Sequence, residues 1–447
     1  MIGDIPGHHL TGAVRRRVLL AASIGNFVEL YDYLIYSYLA TTLARLFFPQ
    51  TTPGSALLST FAIFGVGFLA RPVGAVYFGH LGDRSGRRAA LVGAITVMGA
   101  GTAAIGCLPT ARTVGIVAPI CLLICRLVQG FAHGGEYTGA NTFVIEYAPD
   151  GRRGRYASVM PLSVGLGTGF GVLVSLIVSL ATTQRQLLDG LWRIPFLLAL
   201  PLSLIGLYLR LRVEDSPAFL RLRDTKEIER APVPAALRTS LRPMLILFGW
   251  VMINSVGFYV LTGYMVSYLT VNVGVSNRTA LLGQIVAVFV FGLSAPIAGT
   301  AADRFGRKPV AIGASIGLAA VILPVFALLD RGGTGLIILG LCVFAIFAGA
   351  ISTITSLLIV ELFRPQVRYA ASAMAYNMGY VLFGGTAPYV ATLLVNRTGN
   401  VAAPGGYVLA VALVSTVMVA LTLRETGNQV TTTAPHPVDR VQAPFGH

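Results

Sequence analysis

Apolar and polar positions are distributed along this chain in long blocks: apolar runs of about twenty residues are separated by short basic, polar or glycine-rich stretches. A run of that length is what an α-helix needs to cross the hydrocarbon core of a bilayer. The pattern predicts twelve such helices, over 18–46, 56–80, 89–108, 114–146, 157–181, 191–211, 243–270, 279–301, 309–329, 335–362, 370–395 and 406–423. Several exceed the hydrocarbon thickness, which predicts tilt or extension beyond it. The first run is too long for a signal-peptide core and no small-residue cleavage site ends it, so it reads as a retained helix. A polar segment with Pro217, Pro232 and Pro234 divides six helices from six. The predicted organisation is a mobile tail over 1–14, a six-helix bundle over 15–212, and a linker over 213–242 with a short amphipathic helix near Ser216–Glu229. A second six-helix bundle spans 243–425, and a disordered tail over 426–447 is rich in Thr, Pro and Gln and lacks heptads. The fold class is therefore an all-α membrane protein in two halves.

Composition narrows the function classes. The chain is 55% hydrophobic and 11% charged, with mean hydropathy +0.75, whereas soluble domains carry about 25% charged residues. The formal charge of +15 does not indicate a nucleic-acid partner, because the cations sit in short clusters between apolar runs. Placing both termini on the cytoplasmic side puts most of the 33 Lys and Arg there, as the positive-inside rule requires. Cys107, Cys121, Cys125 and Cys342 lie in or beside apolar runs with neither metal-ligand nor disulfide spacing. No His/Cys/Asp constellation or phosphate loop is present, so the sequence argues against an enzyme and against a metal or cofactor. The expected partners are a small-molecule substrate, protons and the lipid bilayer, with the chain a monomer.

One stretch organises the rest. Gly79-His-Leu-Gly-Asp83-Arg84-Ser-Gly86-Arg87-Arg88 recurs in the second half as Gly299-Thr-Ala-Ala-Asp303-Arg304-Phe-Gly306-Arg307-Lys308. A second echo accompanies each copy, Glu146 with Arg155-Tyr-Ala-Ser158 and Glu361 with Arg368-Tyr-Ala-Ala-Ser372. Paired echoes at matching offsets mean a duplicated half, and internal symmetry of this kind marks transporters. Asp83 and the arginines of its loop, Arg84, Arg87 and Arg88, are placed to bridge to Glu146, Arg152 or Arg153. Asp303, Arg307, Glu361 and Arg368 are the counterpart set.

The doubled loop resembles the signature of the major facilitator superfamily. Gly25-Asn-Phe-Val-Glu29-Leu-Tyr-Asp32-Tyr, Phe47-Phe-Pro49, Arg71-Pro-Val-Gly74, Arg126-Leu-Val-Gln129-Gly-Phe-Ala-His-Gly-Gly-Glu136, Trp192-Arg-Ile-Pro-Phe196 and Glu214-Asp-Ser-Pro-Ala-Phe219 are similar to its metabolite:proton symporter family. The likeness covers about 15–426. It implies a bacterial inner-membrane location, transport by alternating access, and a latch role for the doubled loops that holds the outward-facing state. Leu30 and His133 depart from the family pattern, where an aromatic and a small residue are usual.

Ionisable residues at membrane depth are the candidate chemistry, since each costs at least ~2.5–3.5 kcal/mol near a helix centre unless paired or hydrated. On the first helix Asn26, Glu29, Asp32/Tyr33 and Tyr36 form one polar stripe. At ~1.5 Å per residue, Asp32 and Arg126 fall near the midplane, and Glu29, Arg71 and Glu136 fall lower. The depths allow an Asp32–Arg126 pair above a Glu29, Arg71 and Glu136 cluster. A carboxylate beside an arginine stays ionised; proton binding frees the arginine for an anionic substrate. Asp32 and Arg126 also resemble the helix-1 acid and helix-4 arginine of proton-coupled sugar transporters of the superfamily. The proton-coupling candidates are thus Asp32, Glu29, Arg126 and Glu136. The substrate-binding candidates are Arg126, Arg71, Tyr36, Gln129, His133, Asn254, Tyr259, Asn377 and Tyr380. Glu136 reads equally as a packing residue, and His133 either titrates or is satisfied by a neighbouring helix. Gly165, Gly167, Gly169 and Gly171 predict close packing of the fifth helix. The reading is a proton symporter importing a small metabolite. A carboxylate is the first choice of substrate because of the two membrane-depth arginines; the alternatives are a zwitterionic osmolyte such as betaine or proline, or a proton–drug antiporter.

Overall fold

The computed structural model describes residues 12–85, 87–134, 136–146, 148–149, 151–211, 237–364 and 367–425. The amphipathic linker helix expected near 216–229, most of the tail 1–14 and the whole of 426–447 lie outside them. Among the described residues there are helices and no strands. Eleven helices are long and apolar enough to cross a membrane. The first helix, Gly12–Tyr38 with its short continuation Ala40–Phe47, makes the twelfth and carries the polar stripe. We label the spans α1 (Gly12–Tyr38), α2 (Pro53–Phe78), α3 (Ala90–Cys107), α4 (Val117–Thr142), α5 (Arg153–Ala181), α6 (Leu191–Tyr208), α7 (Leu241–Val271), α8 (Asn277–Phe305), α9 (Arg307–Asp330), α10 (Thr334–Glu361), α11 (Arg368–Thr398) and α12 (Ala403–Thr422).

Local chemistry sets the helix limits. Thr52 caps α2, its hydroxyl oxygen accepting from the Ser55 N–H ahead of Pro53 at the first turn, an arrangement that fills an otherwise orphaned donor. Ser276 caps α8 the same way through Thr279. Gly306, at φ 96°, separates α8 from α9 with a backbone that a side chain would strain. Two interruptions leave no trace in hydropathy: π-helical turns at Val260–Tyr264 in α7 and Tyr380–Gly384 in α11. Each keeps the apolar pattern intact while rotating the remainder of its helix, and such turns gather at functional sites.

Large apolar side chains remain exposed on the outward faces, among them Leu204, Leu293, Ile297 and Leu421. That is the expected face toward lipid. Inside, α5 packs on α1 and, across the two halves, on α8, while α2 meets α11. The glycines of α5 permit both contacts: a Cβ on Gly165 would press on Gly292 of α8, and one on Gly167 would overlap Phe27 of α1. Small residues that let backbones touch are the usual means of helix association in lipid.

Candidate functional site

The centre of the molecule is built on a backbone contact between α2 and α4. A Cβ added at Gly130 would overlap the Gly67 carbonyl, and one added at Gly134 would overlap the Arg71 carbonyl. This approach brings Arg71 and Arg126 to one place, 1% and 0% exposed. Both reach the ring of Tyr33 from α1, with guanidinium carbons 4.8 Å and 4.3 Å from its centroid. Arg71 also lies 3.9 Å over Phe68 and donates to the Tyr259 hydroxyl at 3.2 Å. Arg126 lies over Tyr36 and Phe64 at 4.6 Å and 4.8 Å. One of its Nη atoms donates to Gln129 Oε1 at 2.7 Å, and Gln129 in turn donates to Thr102 at 2.7 Å and to the Asp32 carbonyl at 3.3 Å.

Neither arginine meets a carboxylate among the described residues, and Arg71 Nε with Arg126 Nε and Nη2 have no hydrogen-bond partner there. This corrects two expectations. The Asp32–Arg126 pair is not made: Asp32, fully buried, turns to α6 and accepts from Ser203 at 3.4 Å. Successive helix residues diverge by about 100°, so Tyr33 faces the arginines while Asp32 beside it does not. Arg71 does not meet Glu29, its expected partner, either, because the α2–α4 contact aims it at the aromatic rings. Glu29 instead pairs with His133, its Oε1 in contact with Nδ1. The His133 ring stacks on Tyr33, 5.1 Å between centroids and 10° between planes. The side chain of Glu136 lies outside the described ones.

The second half closes the site with neutral groups. Tyr259 packs against Tyr33, Phe64, Phe68 and Tyr380. Asn254 donates to the Tyr380 hydroxyl at 2.8 Å. Tyr36 spends its own hydroxyl on the Thr60 carbonyl at 2.9 Å. Asn377 lies toward the face that carries the doubled motif, donating to the Gly134 carbonyl across the halves at 2.8 Å. There Tyr137 also stacks on Tyr376, centroids 5.2 Å apart. On the opposite face a Cβ on Gly65 would press on the Gly385 carbonyl, so the arginine cage is shut from both directions. Phe64, Phe68 and Tyr376 escape a reading of the sequence; the four-residue spacing of Phe64 and Phe68 on the helix that carries Arg71 is the one signal available for them.

At the motif face, Asp303 bridges the halves by accepting from the backbone N–H groups of Gly154 and Arg155 at 2.7 Å and 3.0 Å. A Cβ at Gly154 or Gly299 would overlap the other's carbonyl, so the two helices touch there. Arg307 lies 3.6 Å from Asp303 and holds Glu361 through Nη2 at 2.9 Å and Nε at 3.1 Å. Arg368, expected in the same set, donates to the Phe363 carbonyl at 3.4 Å. Glu425, which no motif marks, accepts from the Arg307 and Lys308 N–H groups at 2.8 Å and 3.1 Å, a carboxylate on the positive end of α9. In the first half Arg152 is exposed, and the side chains of Asp83, Arg84, Arg87, Arg88 and Glu146 lie outside the described ones.

Comparison with known proteins adds three findings. The family described as "Sugar (and other) transporter" matches residues 18–243 and 231–434. The chain is 36% identical over 423 residues to the proline/betaine transporter of Escherichia coli K12, covering 93% of this chain and 84% of that one. It is 34% identical over 408 residues to the ectoine/proline transporter ProP of Corynebacterium glutamicum, covering 88% and 81%, and 34% identical over 428 residues to the inner membrane metabolite transport protein YhjE of E. coli K12, covering 93% and 95%. Among solved structures, the xylose transporter XylE of E. coli in a partially occluded inward-open conformation superposes with a TM-score of 0.76 at 19% identity, over 93% and 99% of the two chains.

Proposed function

The chain belongs to the sugar (and other) transporter family of the major facilitator superfamily, and from that premise we propose that it is a proton symporter for small zwitterionic osmolytes of the proline and betaine type. The observation that carries the reading is the pair of buried arginines with unfilled N–H donors and no carboxylate partner among the described residues. An isolated buried cation is costly. A substrate carboxylate supplies both the missing charge and the missing acceptors, and the guanidinium fork suits it in bidentate geometry. The walls beside the arginines are the rings of Tyr33, Phe64, Phe68 and Tyr259, whose π faces attract an ammonium group. A small zwitterion is thereby matched at both ends.

A plain carboxylate, the first choice from sequence, uses the arginines and leaves the rings without a role. The names of the relatives, which specify proline, betaine and ectoine, favour the zwitterion as well. A proton–drug antiporter draws no support from a cage that is cationic where a cationic drug requires acids. Protons enter the cycle on α1, whose carboxylates Glu29 and Asp32 line one small cavity with Ala94, Ile95 and Met98 of α3. With the doubled motif on the cytoplasmic side, as the distribution of Lys and Arg indicates, the cycle imports substrate by alternating access. Calorimetry on the purified protein tests the ligand class. Glycine betaine or proline should bind at least ~10-fold more tightly than acetate or choline, each of which offers one end only. Acetate binding as tightly as either zwitterion contradicts the reading.

A further inference from the structure

We infer that Glu29 and His133 act as one proton-binding pair whose charge acts electrostatically, across the Tyr33 ring, on the two substrate arginines. The inference rests on the osmolyte reading for the identity of the substrate probe. It concerns a side chain at which this chain departs from the pattern of the family it resembles.

The geometry is a continuous line of contacts. Glu29 of α1 touches His133 Nδ1 of α4. The His133 ring stacks on Tyr33, and the Tyr33 ring carries both Arg71 and Arg126 against it. In the proposed pair the contact is a hydrogen bond, with one proton between Nδ1 and the carboxylate. In the unloaded pair neutral His133 donates that proton to a carboxylate, and the pair carries one negative charge. Loading adds a single proton at the other ring nitrogen, Nε2, giving an imidazolium–carboxylate pair of zero net charge. The change takes place one aromatic ring away from the arginines.

Loading removes a negative charge beside the cage and sets a third cation against Tyr33, so the cage becomes more attractive to a substrate carboxylate. Linkage is reciprocal, and a bound carboxylate must favour loading of the pair to the same extent. Proton and zwitterion then bind together and leave together, which is what symport requires.

Among the described residues, the other charged and titratable groups around the ring do not supply this change. Asp32 of α1 faces Ser203 on α6. Arg71 and Arg126 are guanidinium groups, which stay charged, and the remaining polar rings that face the pair are the phenols Tyr33 of α1, Tyr137 of α4, Tyr259 of α7 and Tyr376 and Tyr380 of α11. The side chain of Glu136 lies outside the described ones, and its variant serves as a control.

The test compares glycine betaine affinity between pH 5.5 and 8 for the purified wild type, His133→Gln, Glu29→Gln, Asp32→Asn and Glu136→Gln. The wild type should bind more tightly as pH falls, by up to ~10-fold per pH unit, the limit for one linked proton, and level off once the pair is loaded. His133→Gln and Glu29→Gln should flatten the dependence to less than about twofold, while Asp32→Asn and Glu136→Gln keep it. A second readout needs no substrate. In protein labelled with 15N in the histidine rings, the resonance lost in His133→Gln should titrate in the wild type and shift its titration in Glu29→Gln. A pH dependence that survives His133→Gln, or one abolished by Asp32→Asn or Glu136→Gln, overturns the inference, as does a His133 resonance indifferent to Glu29→Gln. If the wild type binds no zwitterion at any pH, the substrate reading fails, and the ring titration alone decides the pair.

Discussion

Arg71 and Arg126 do different work, although both are buried and both touch Tyr33. Arg71 is tied to Tyr259 across the halves, whereas Arg126 is held within its own half by Gln129. Arg126→Ala should lower glycine betaine affinity at least ~10-fold, since removing one partner of a charge-assisted contact costs about 1.5–3 kcal/mol. Arg71→Lys should weaken binding by a similar factor, because an ammonium cannot lie flat on Phe68 and reach the Tyr259 hydroxyl at once. Calorimetry on both variants checks this; unchanged affinity in either removes that residue from the site. At this scale the sequence reveals which residues are ionisable and how deep they lie, since rise per residue is fixed. It does not reveal which way they point. Asp32 and Tyr33 are neighbours in sequence, yet one faces Ser203 and the other the arginines, a rotation that depth alone does not encode.

The elements are legible to a similar degree. All twelve spans emerge from the apolar runs, because a bilayer demands length and hydropathy and little else. The π turns in α7 and α11 escape, since an extra residue in a turn leaves hydropathy unchanged. Of the glycine contacts, the run Gly165 to Gly171 announces itself by repetition, while nothing in the sequence pairs Gly67 with Gly130, which meet only in the fold. The α2–α4 contact sets the relative position of the arginines, so its loss should be felt in binding and in folding alike. Gly130→Ala should destabilise the protein by about 1–3 kcal/mol, the usual cost of overpacking, and weaken betaine binding. A thermal melt with and without ligand reads both effects; a variant that melts and binds like the wild type would show that the helices separate without consequence.

At the scale of the whole molecule, the two halves are held at the motif face by Asp303 on the N–H groups of α5 and by the contact of Gly154 with Gly299. The doubled motif points to such a latch, but Glu425 lies beyond its reach because nothing in a single glutamate after the last helix marks it as a cap. Asp303→Asn keeps the shape and loses the charge, which should favour opening at that face by about 1–2 kcal/mol, a shift of roughly tenfold in population. Thiol labelling of a cysteine introduced at Ser356, which faces Tyr137 in the sealed region, should accelerate accordingly; an unchanged rate removes Asp303 from the latch. The central claim, proton-driven import of a zwitterion, is tested most directly in proteoliposomes loaded with buffer and given an inward proton gradient. Labelled glycine betaine or proline should accumulate above the external concentration, and an uncoupler should abolish the accumulation. Accumulation that ignores the uncoupler, or that occurs for acetate and not for either zwitterion, would contradict the account.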